Sequence, residues 1–498
     1  MKPNKIISII TILLLTACSE MLIEEPRDIM DPSQFFNTDA EAIGAVNGIY
    51  SRGFDFLYGT GTNRSYMSYS HWGTDIARPT GGREANFPPH VYTLSSSEDA
   101  NIREHWEILY RTIADANLVI ENVERTKNNF SPDVYNQTIG EAKVLRALMY
   151  YVLTNYFGDV PMWLEALKVG EVSTLSRTPV NKIYDQMIVD LEDAANKLPS
   201  SYQGPNKGRA SKWAAMMLLT KYYLIKKDWN NAKITAGKIV NESPHVLLPD
   251  YGAIFSINNE YNDEIIWEKD AVRDIYPTWI PTAFTPRAVD EPRFSATEID
   301  YQFNGFGLLS SSNEFVGSFD PDDKRKPLYN FNGFYDDPDG DGIYDRWIQL
   351  NNRYVEKMLD HGSPRLNSGK NIIVYRLADA YLMYAEAENE LNGPTSEAYS
   401  KINSIRDRAF DSDPAKRLSG LSKEEFRQAI MDERKWELAF EFHRRWDLKR
   451  WGKLGEAVQS MAESNPLGAA NFKPYHDLWP IPFDEIILNP NLTQNPGY

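Results

Sequence analysis

Apolar side chains recur at helical spacing in blocks along this chain. Over Thr38–Arg52, Ala42, Ile43, Val46, Ile49 and Tyr50 share one face, with Thr38 or Asp39 placed to cap it. The period returns over Asp99–Lys127, where Trp106, Leu109, Tyr110, Ile113, Ala116 and Ile120 line up, and continues over Asp133–Phe157. Asn181–Leu198, Arg209–Ile225 and Asn230–Asn241 follow as further helices, then Tyr375–Leu391 and Ser396–Ala409, joined by Asn392-Gly393-Pro394. The densest pattern is Asp432–Gly452, DERKWELAFEFHRRWDLKRWG, which predicts one long helix stopped at Gly452. Trp436, Phe440 and Leu448 form one stripe, and Leu438, Phe442 and Trp446 a second, so neighbours should grip this helix on two sides. Its charges are spaced to pair along the surface: Arg434 with Glu437, Glu441 with Arg444 and Arg445, Asp447 with Arg450. A charge ladder of this kind predicts a structural keystone rather than a catalytic cluster.

Two stretches lose the helical period. From Gly53 to about Ser97, Gly, Ser, Thr and Pro mix with Tyr66, Tyr69, Trp72 and Phe87. From Ser243 to Asn371 only Asp263–Lys269 (DEIIWEK) reads as a strand, and the rest is rich in Gly, Pro, Asn and aromatics. A loop of that length is improbable inside a compact domain unless it is functional or disordered, and its aromatic content argues against disorder. It is expected to be an irregular, loop-rich lobe inserted into the helices. Ala215, Leu218, Leu219, Tyr222, Trp229, Ala232 and Ala236 resemble a tetratricopeptide helix pair, with small residues at the crossing and an aromatic near the turn. The expected fold class is therefore mostly α, a tetratricopeptide-like, α-solenoid-like scaffold in which no pair can bury its apolar face alone.

Charge and cysteine usage narrow the function. With 53 Lys plus Arg against 70 Asp plus Glu the chain carries −17 and has no basic run to neutralise phosphates, which sets nucleic acid aside as a partner. The single cysteine, Cys18, follows Lys2, Lys5, a short apolar run Ile6–Leu15 and then Thr16-Ala17. That is a secretory signal over residues 1–17, too short to span a bilayer. Leu15-Thr16-Ala17-Cys18 resembles a bacterial lipobox, which implies cleavage and lipidation at Cys18. Glu20, Glu24 and Glu25 then resemble the acidic tether, over 18–37, that sends such lipoproteins to the cell surface. No zincin, nucleophile-elbow, phosphate-loop or Cys/His metal spacing occurs, and the histidines are scattered. A glycosidase needs only two facing carboxylates, so that alternative stays open on the residues alone.

Three segments, Glu141–Pro161 (EAKVLRALMYYVLTNYFGDVP), Tyr375–Leu391 (YRLADAYLMYAEAENEL) and Glu433–Gly452, together with Leu478-Trp479-Pro480-Ile481-Pro482 and Asn489–Tyr498, resemble the SusD/RagB family of outer-membrane nutrient-binding lipoproteins. The resemblance implies one domain over 38–498: a helical scaffold over about 38–242 and 373–452, a ligand lobe over about 243–372, and an irregular tail over 453–498. It implies a protein that binds and does not cleave, capturing an oligosaccharide for a SusC-like TonB-dependent transporter. A peptide or glycopeptide receptor of the RagB kind is the alternative. It also places the ligand where the loops after the first helix meet the lobe. Flat rings cover the apolar C–H face of a sugar, while neighbouring polar groups take its hydroxyls. The expected platforms are Trp72, Tyr276, Trp279, Phe306 and Phe334, with Asp75, Arg78, Arg83 and Asn304 as polar neighbours. One metal candidate accompanies them. Asp337, Asp339, Asp341 and Asp345, with Ile343 between, follow the spacing of a calcium loop, but Ile348 stands where a bidentate Glu is usual. The loop either holds a structural Ca2+ or is a plain acidic turn.

Overall fold

The computed structural model describes residues 35–60, 65–80, 87–97, 100–167, 170–287, 305–336 and 346–498. Cys18, Arg83, Asn304 and the acidic loop with Asp337, Asp339, Asp341, Ile343 and Asp345 lie outside the described residues. Helix α1 (Asp39–Ile49) starts where its capping residue predicts. The Thr38 hydroxyl accepts the Glu41 N–H at 3.3 Å, and the Glu41 carboxylate accepts the Thr38 N–H at 3.0 Å. Helices α2 (Ala100–Arg125), α3 (Pro132–Phe157), α4 (Val180–Lys197), α5 (Lys212–Ile225) and α6 (Trp229–Glu242) then each pack on the next. Ala215, Leu218, Tyr222, Ala232 and Ala236 are all fully buried in this stack.

Helix α6 packs on α7 (Leu377–Asn392), far along the chain, and α7 packs on α8 (Ser396–Ala409) and α9 (Lys423–Glu437). A Cβ on Gly237 of α6 would stand 3.3 Å from the Tyr384 ring of α7, so the two helices approach closely. The stack therefore closes up beneath the segment that separates them in sequence, and the fold is mostly helical and tetratricopeptide-like. Among the described residues no helix is long and apolar enough to cross a membrane.

Among the described residues, three antiparallel strand pairs tie the looped-out segment down. Strand β1 (Ala77–Pro79), from the early loops, pairs with β3 (Leu309–Ser311). Strand β2 (Ile265–Lys269) pairs with β6 (Ile372–Arg376), which joins the segment's two ends, and β4 (Phe331–Asp336) pairs with β5 (Arg346–Tyr354). Much of the segment's aromatic content is core. Phe284, Phe315, Phe319 and Tyr329 are buried, and Phe440 packs against Phe284, Phe315 and Tyr329 with ring centroids 5.7, 6.2 and 6.2 Å away.

The stretch Asp432–Gly452 departs from the single helix its pattern predicts. Helix α9 ends at Glu437, Phe440 and Phe442 take left-handed φ of 63° and 67°, and α10 (Arg444–Arg450) follows. The reason lies at Glu437. A continuous helix would give its carbonyl to the Glu441 N–H, but Arg376 and the Tyr251 hydroxyl both donate to it at 2.6 Å, and Glu441 turns to Leu438 at 3.1 Å. The charges also pair inward rather than along the surface. Glu437 holds Arg325, Arg376 and Arg408, Glu441 holds Arg376 and Lys357, and Arg434 bridges Asp379 and Asp447. Of the expected ladder only Asp447–Arg450 forms, at 2.9 Å. Burial alone would raise the Glu437 carboxyl, but Arg408, Arg376 and Arg325 hold it well below the usual carboxylate range. Removing one partner from such a network leaves an unpaired buried charge, at a cost of about 3–5 kcal/mol.

Candidate functional site

The site is built on one helical turn, Asp55–Tyr58, which continues α1 through a π turn at Tyr50–Phe54. The Gly59 carbonyl after it accepts the Trp279 N–H at 2.9 Å and the Thr278 hydroxyl at 3.2 Å. Tyr276 donates its hydroxyl to Asp55 Oδ1 at 3.0 Å. Lys269 Nζ lies 3.0 Å from the same oxygen and 4.1 Å from the centroid of the Tyr276 ring. Carboxylate, ammonium and ring thus fix one another. Burial depresses the Lys269 amine, which Asp55 opposes, and burial followed by Asp55 pushes the Tyr276 phenol well up, so it remains a hydroxyl donor.

A tight turn aims these rings. Val272 and Tyr276 exchange backbone hydrogen bonds at 2.9 and 2.8 Å around Asp274, whose φ is 66°. Asn367 clamps the turn, accepting the Asp274 N–H at 2.8 Å and donating to its carboxylate at 2.6 Å. The result leaves Tyr276 39 % and Trp279 37 % exposed, with Ile275 at 82 % beside them. Trp279 opens a short helix, Ile280–Phe284, whose Ile280, Ala283 and Phe284 are fully buried. Thr282 of that helix accepts twice: its carbonyl takes the Phe306 N–H at 2.8 Å and its hydroxyl the Leu366 N–H at 2.9 Å. Those bonds bring Phe306 and Arg365 to the same face, with the Arg365 guanidinium 4.4 Å over the Phe306 ring.

Tyr276 and Trp279 are therefore exposed three residues apart, and Thr282 ties the partly buried Phe306 to the helix that Trp279 opens. Trp72 differs. Its side chain is 0 % exposed, edge-on to Phe87 at 4.7 Å, so it offers a sugar no surface and is a core residue. Asp75 is held by both Nε and Nη2 of Arg444, at 2.8 and 2.6 Å. Burial would raise its carboxyl, but Arg444 keeps it below the usual range. That carboxylate joins the early loops to α10. Arg78 lies in β1 and donates to Asn352 of β5 at 2.9 Å, linking the loops to the looped-out segment. Phe334 is placed by its backbone in β4, opposite Ile348. Asp55, Lys269, Asn367 and Arg365 carry no spacing signal in the sequence, because each acquires its role from a partner far along the chain. Only the Asp274 turn leaves a local trace, an Asp where left-handed backbone is tolerated.

A different cleft, of about 750 Å³, is lined by Asn155, Arg177, Tyr184, Lys449 and Gln494. Its cations serve the end of α3. Lys449 donates to the Asn155 carbonyl, and Arg177 to the carbonyls of Phe157 and Asp159 at 3.2 and 2.6 Å. Among the described residues no group of three or more His, Cys, Asp or Glu is arranged to hold a metal ion.

Comparison with known proteins places this architecture. Residues 256–498 match the SusD family, and residues 59–224 match a second family described as starch-binding associating with outer membrane. The chain is 35 % identical to SusD-like protein P25 of Formosa agariphila, over 99 % of each chain. Its fold superposes on a SusD superfamily protein of Parabacteroides distasonis with a TM-score of 0.78 at 26 % identity, covering 92 % of this chain and 99 % of that one. A laminarin binding SusD-like protein shares the fold at a TM-score of 0.76 and 24 % identity, over 93 % of this chain and 100 % of that one. With its helical stack, its looped-out segment and a near full-length relative at this identity, the chain belongs to the SusD/RagB family.

Proposed function

We propose that this protein is a cell-surface glycan-binding lipoprotein. It is anchored through Cys18 in the outer membrane, holds an oligosaccharide on the Tyr276–Trp279 face and delivers it to a SusC-like TonB-dependent transporter. The observation that carries the binding role is the pair of half-exposed rings, Tyr276 and Trp279, fixed on the Asp55–Tyr58 turn by hydrogen bonds at 3.0 and 2.9 Å. The Tyr276 ring, held by Asp55 and Lys269, and the Trp279 backbone, anchored on the Gly59 carbonyl, lose little conformational freedom when a sugar stacks there, which is what a binding surface requires. The laminarin-binding relative and the starch-binding description of the matched family support a carbohydrate as the ligand class. The role is capture rather than hydrolysis, and affinity for free glycan is expected to be micromolar to millimolar, ~ −8 to −4 kcal/mol.

Titration calorimetry of the purified protein against a panel of oligosaccharides and peptides tests this. Binding to a glycan, weakened by both Tyr276→Ala and Trp279→Ala, is expected. Affinity unchanged in both variants, or binding confined to peptides, overturns the reading.

A further inference from the structure

Arg365 stands apart from the other cations around this face. Lys269 is neutralised by Asp55 at 3.0 Å, and Arg273 reaches Asp360 at 3.5 Å. Arg365 is exposed, and among the described residues its guanidinium has neither a carboxylate nor a hydrogen-bond acceptor. Its contact is the Phe306 ring, 4.4 Å from Cζ to the centroid. A guanidinium resting on an aromatic face is attracted to the ring and loses rotamer freedom, yet its N–H donors lie at its edges and stay available. Phe306 is accordingly a pedestal: the guanidinium covers the ring face that a sugar would otherwise use.

Position gives the group its meaning. Leu366 is bonded to Thr282, and Thr282 lies one helical turn, ~5 Å, from Trp279. Through Leu366 and Thr282 the backbone therefore ties a pre-oriented fork, with no carboxylate on it among the described residues, to the helix that the exposed Trp279 ring opens. The whole chain carries −17, so its long-range field repels an anionic ligand, and recognition of one would have to come from a local cation such as this.

We propose that the saccharide taken by this face is acidic, and that Arg365 receives its carboxylate or sulfate ester through the edge of the guanidinium. The inference rests on the glycan-binding reading and adds the class of ligand. A planar fork suits either oxyanion, since both present paired oxygens to two parallel N–H groups.

The test uses the purified protein and three oligosaccharides of one backbone and length: neutral, carboxylated and sulfated. At low salt at least one acidic oligosaccharide is expected to bind roughly tenfold more tightly than the neutral one, with the advantage shrinking as salt rises. Arg365→Gln should erase that advantage, so that the acidic and neutral oligosaccharides bind the variant equally. Arg365→Lys, which keeps the charge but not the fork, should restore only part of it. A preference for the carboxylated or for the sulfated member identifies the group received, and either supports the proposal. Equal affinity for neutral and acidic members, or an acidic preference that survives Arg365→Gln, overturns it while leaving the glycan-binding reading intact. Failure to bind any of the three, or any of the wider glycan panel, overturns both.

Discussion

Arg376 and Arg365 lie in neighbouring segments of the chain and live in opposite surroundings. Arg376 is 1 % exposed and donates to Glu264, Glu437 and Glu441 at 2.6–2.9 Å, and to the Glu437 carbonyl as well. Arg365 is exposed and rests on one ring. Aromatic residues divide in the same way. Phe440 and Tyr329 are enclosed by other rings, whereas Tyr276 and Trp279 keep more than a third of their surface in solvent. The contrast shows that residue type does not separate frame from site in this molecule. What separates them is whether the surrounding elements complete the group's contacts, and at the Tyr276–Trp279 face they leave them incomplete.

That division can be broken from either side. Glu437→Ala removes the acceptor shared by Arg325, Arg376 and Arg408, and should cost about 3–5 kcal/mol of stability with glycan affinity of the folded protein within twofold of wild type. Trp72→Ala should behave alike, losing about 3–5 kcal/mol through the cavity it leaves, as read by denaturant unfolding monitored by fluorescence. Weaker binding by folded Trp72→Ala would return that residue to the ligand surface. Acid should attack the frame next. Asp447 is buried, which alone would raise its carboxyl, but Arg434 and Arg450 depress it to about 2. A depressed acid stabilises fully above its unfolded pKa, near 4, and that stability is lost as pH falls toward 2, on the order of 2 kcal/mol from Asp447. Glu437 and Asp379, held lower still, extend the loss. Burial also depresses His71, His90, His105 and His443, which must stay neutral to stay buried, so unfolding midpoints should begin to fall below about pH 6.5 and keep falling through pH 4. At the site, Trp279→Ala should weaken glycan binding by roughly 1–2 kcal/mol, about tenfold or somewhat more, and change stability by less than about 1 kcal/mol. Tyr276→Phe removes only the hydroxyl that reaches Asp55, and should cost affinity a few-fold at most, about 0.5–1 kcal/mol.

The helices were legible because their signal is local. Thr38 and Glu41 cap α1 within one turn, and the apolar period of α2 through α8 repeats at short range. The break after Glu437 was not legible, since the groups that take its carbonyl, Tyr251 and Arg376, come from far along the sequence. The same physics explains the uneven outcome at the site. Tyr276 and Trp279 sit in a short turn whose composition already suggests exposure, and they are exposed. Trp72 sits in a stretch of similar composition, yet tertiary packing against Phe87 and the Arg445 bond to its carbonyl at 3.2 Å draw it inside. Arg365 acquires its meaning only when Phe306 is beneath it, and no spacing announces that.

Phe440 shows what the kinked backbone after α9 achieves. A left-handed non-glycine residue is strained by roughly 1–3 kcal/mol, and the chain accepts two of them, Phe440 and Phe442. In return the Phe440 ring is a bolt through three parts: it stacks on His71 from the early loops at 5.5 Å, meets Phe284, Phe315 and Tyr329 of the looped-out segment, and is itself carried on the C-terminal stretch. Phe284 ends the short helix that Trp279 begins, so the bolt stands a few residues from the exposed rings. Pulling on a captured chain at Trp279 would load the helical frame directly, as a hook screwed into a beam does, rather than swing a hinged flap.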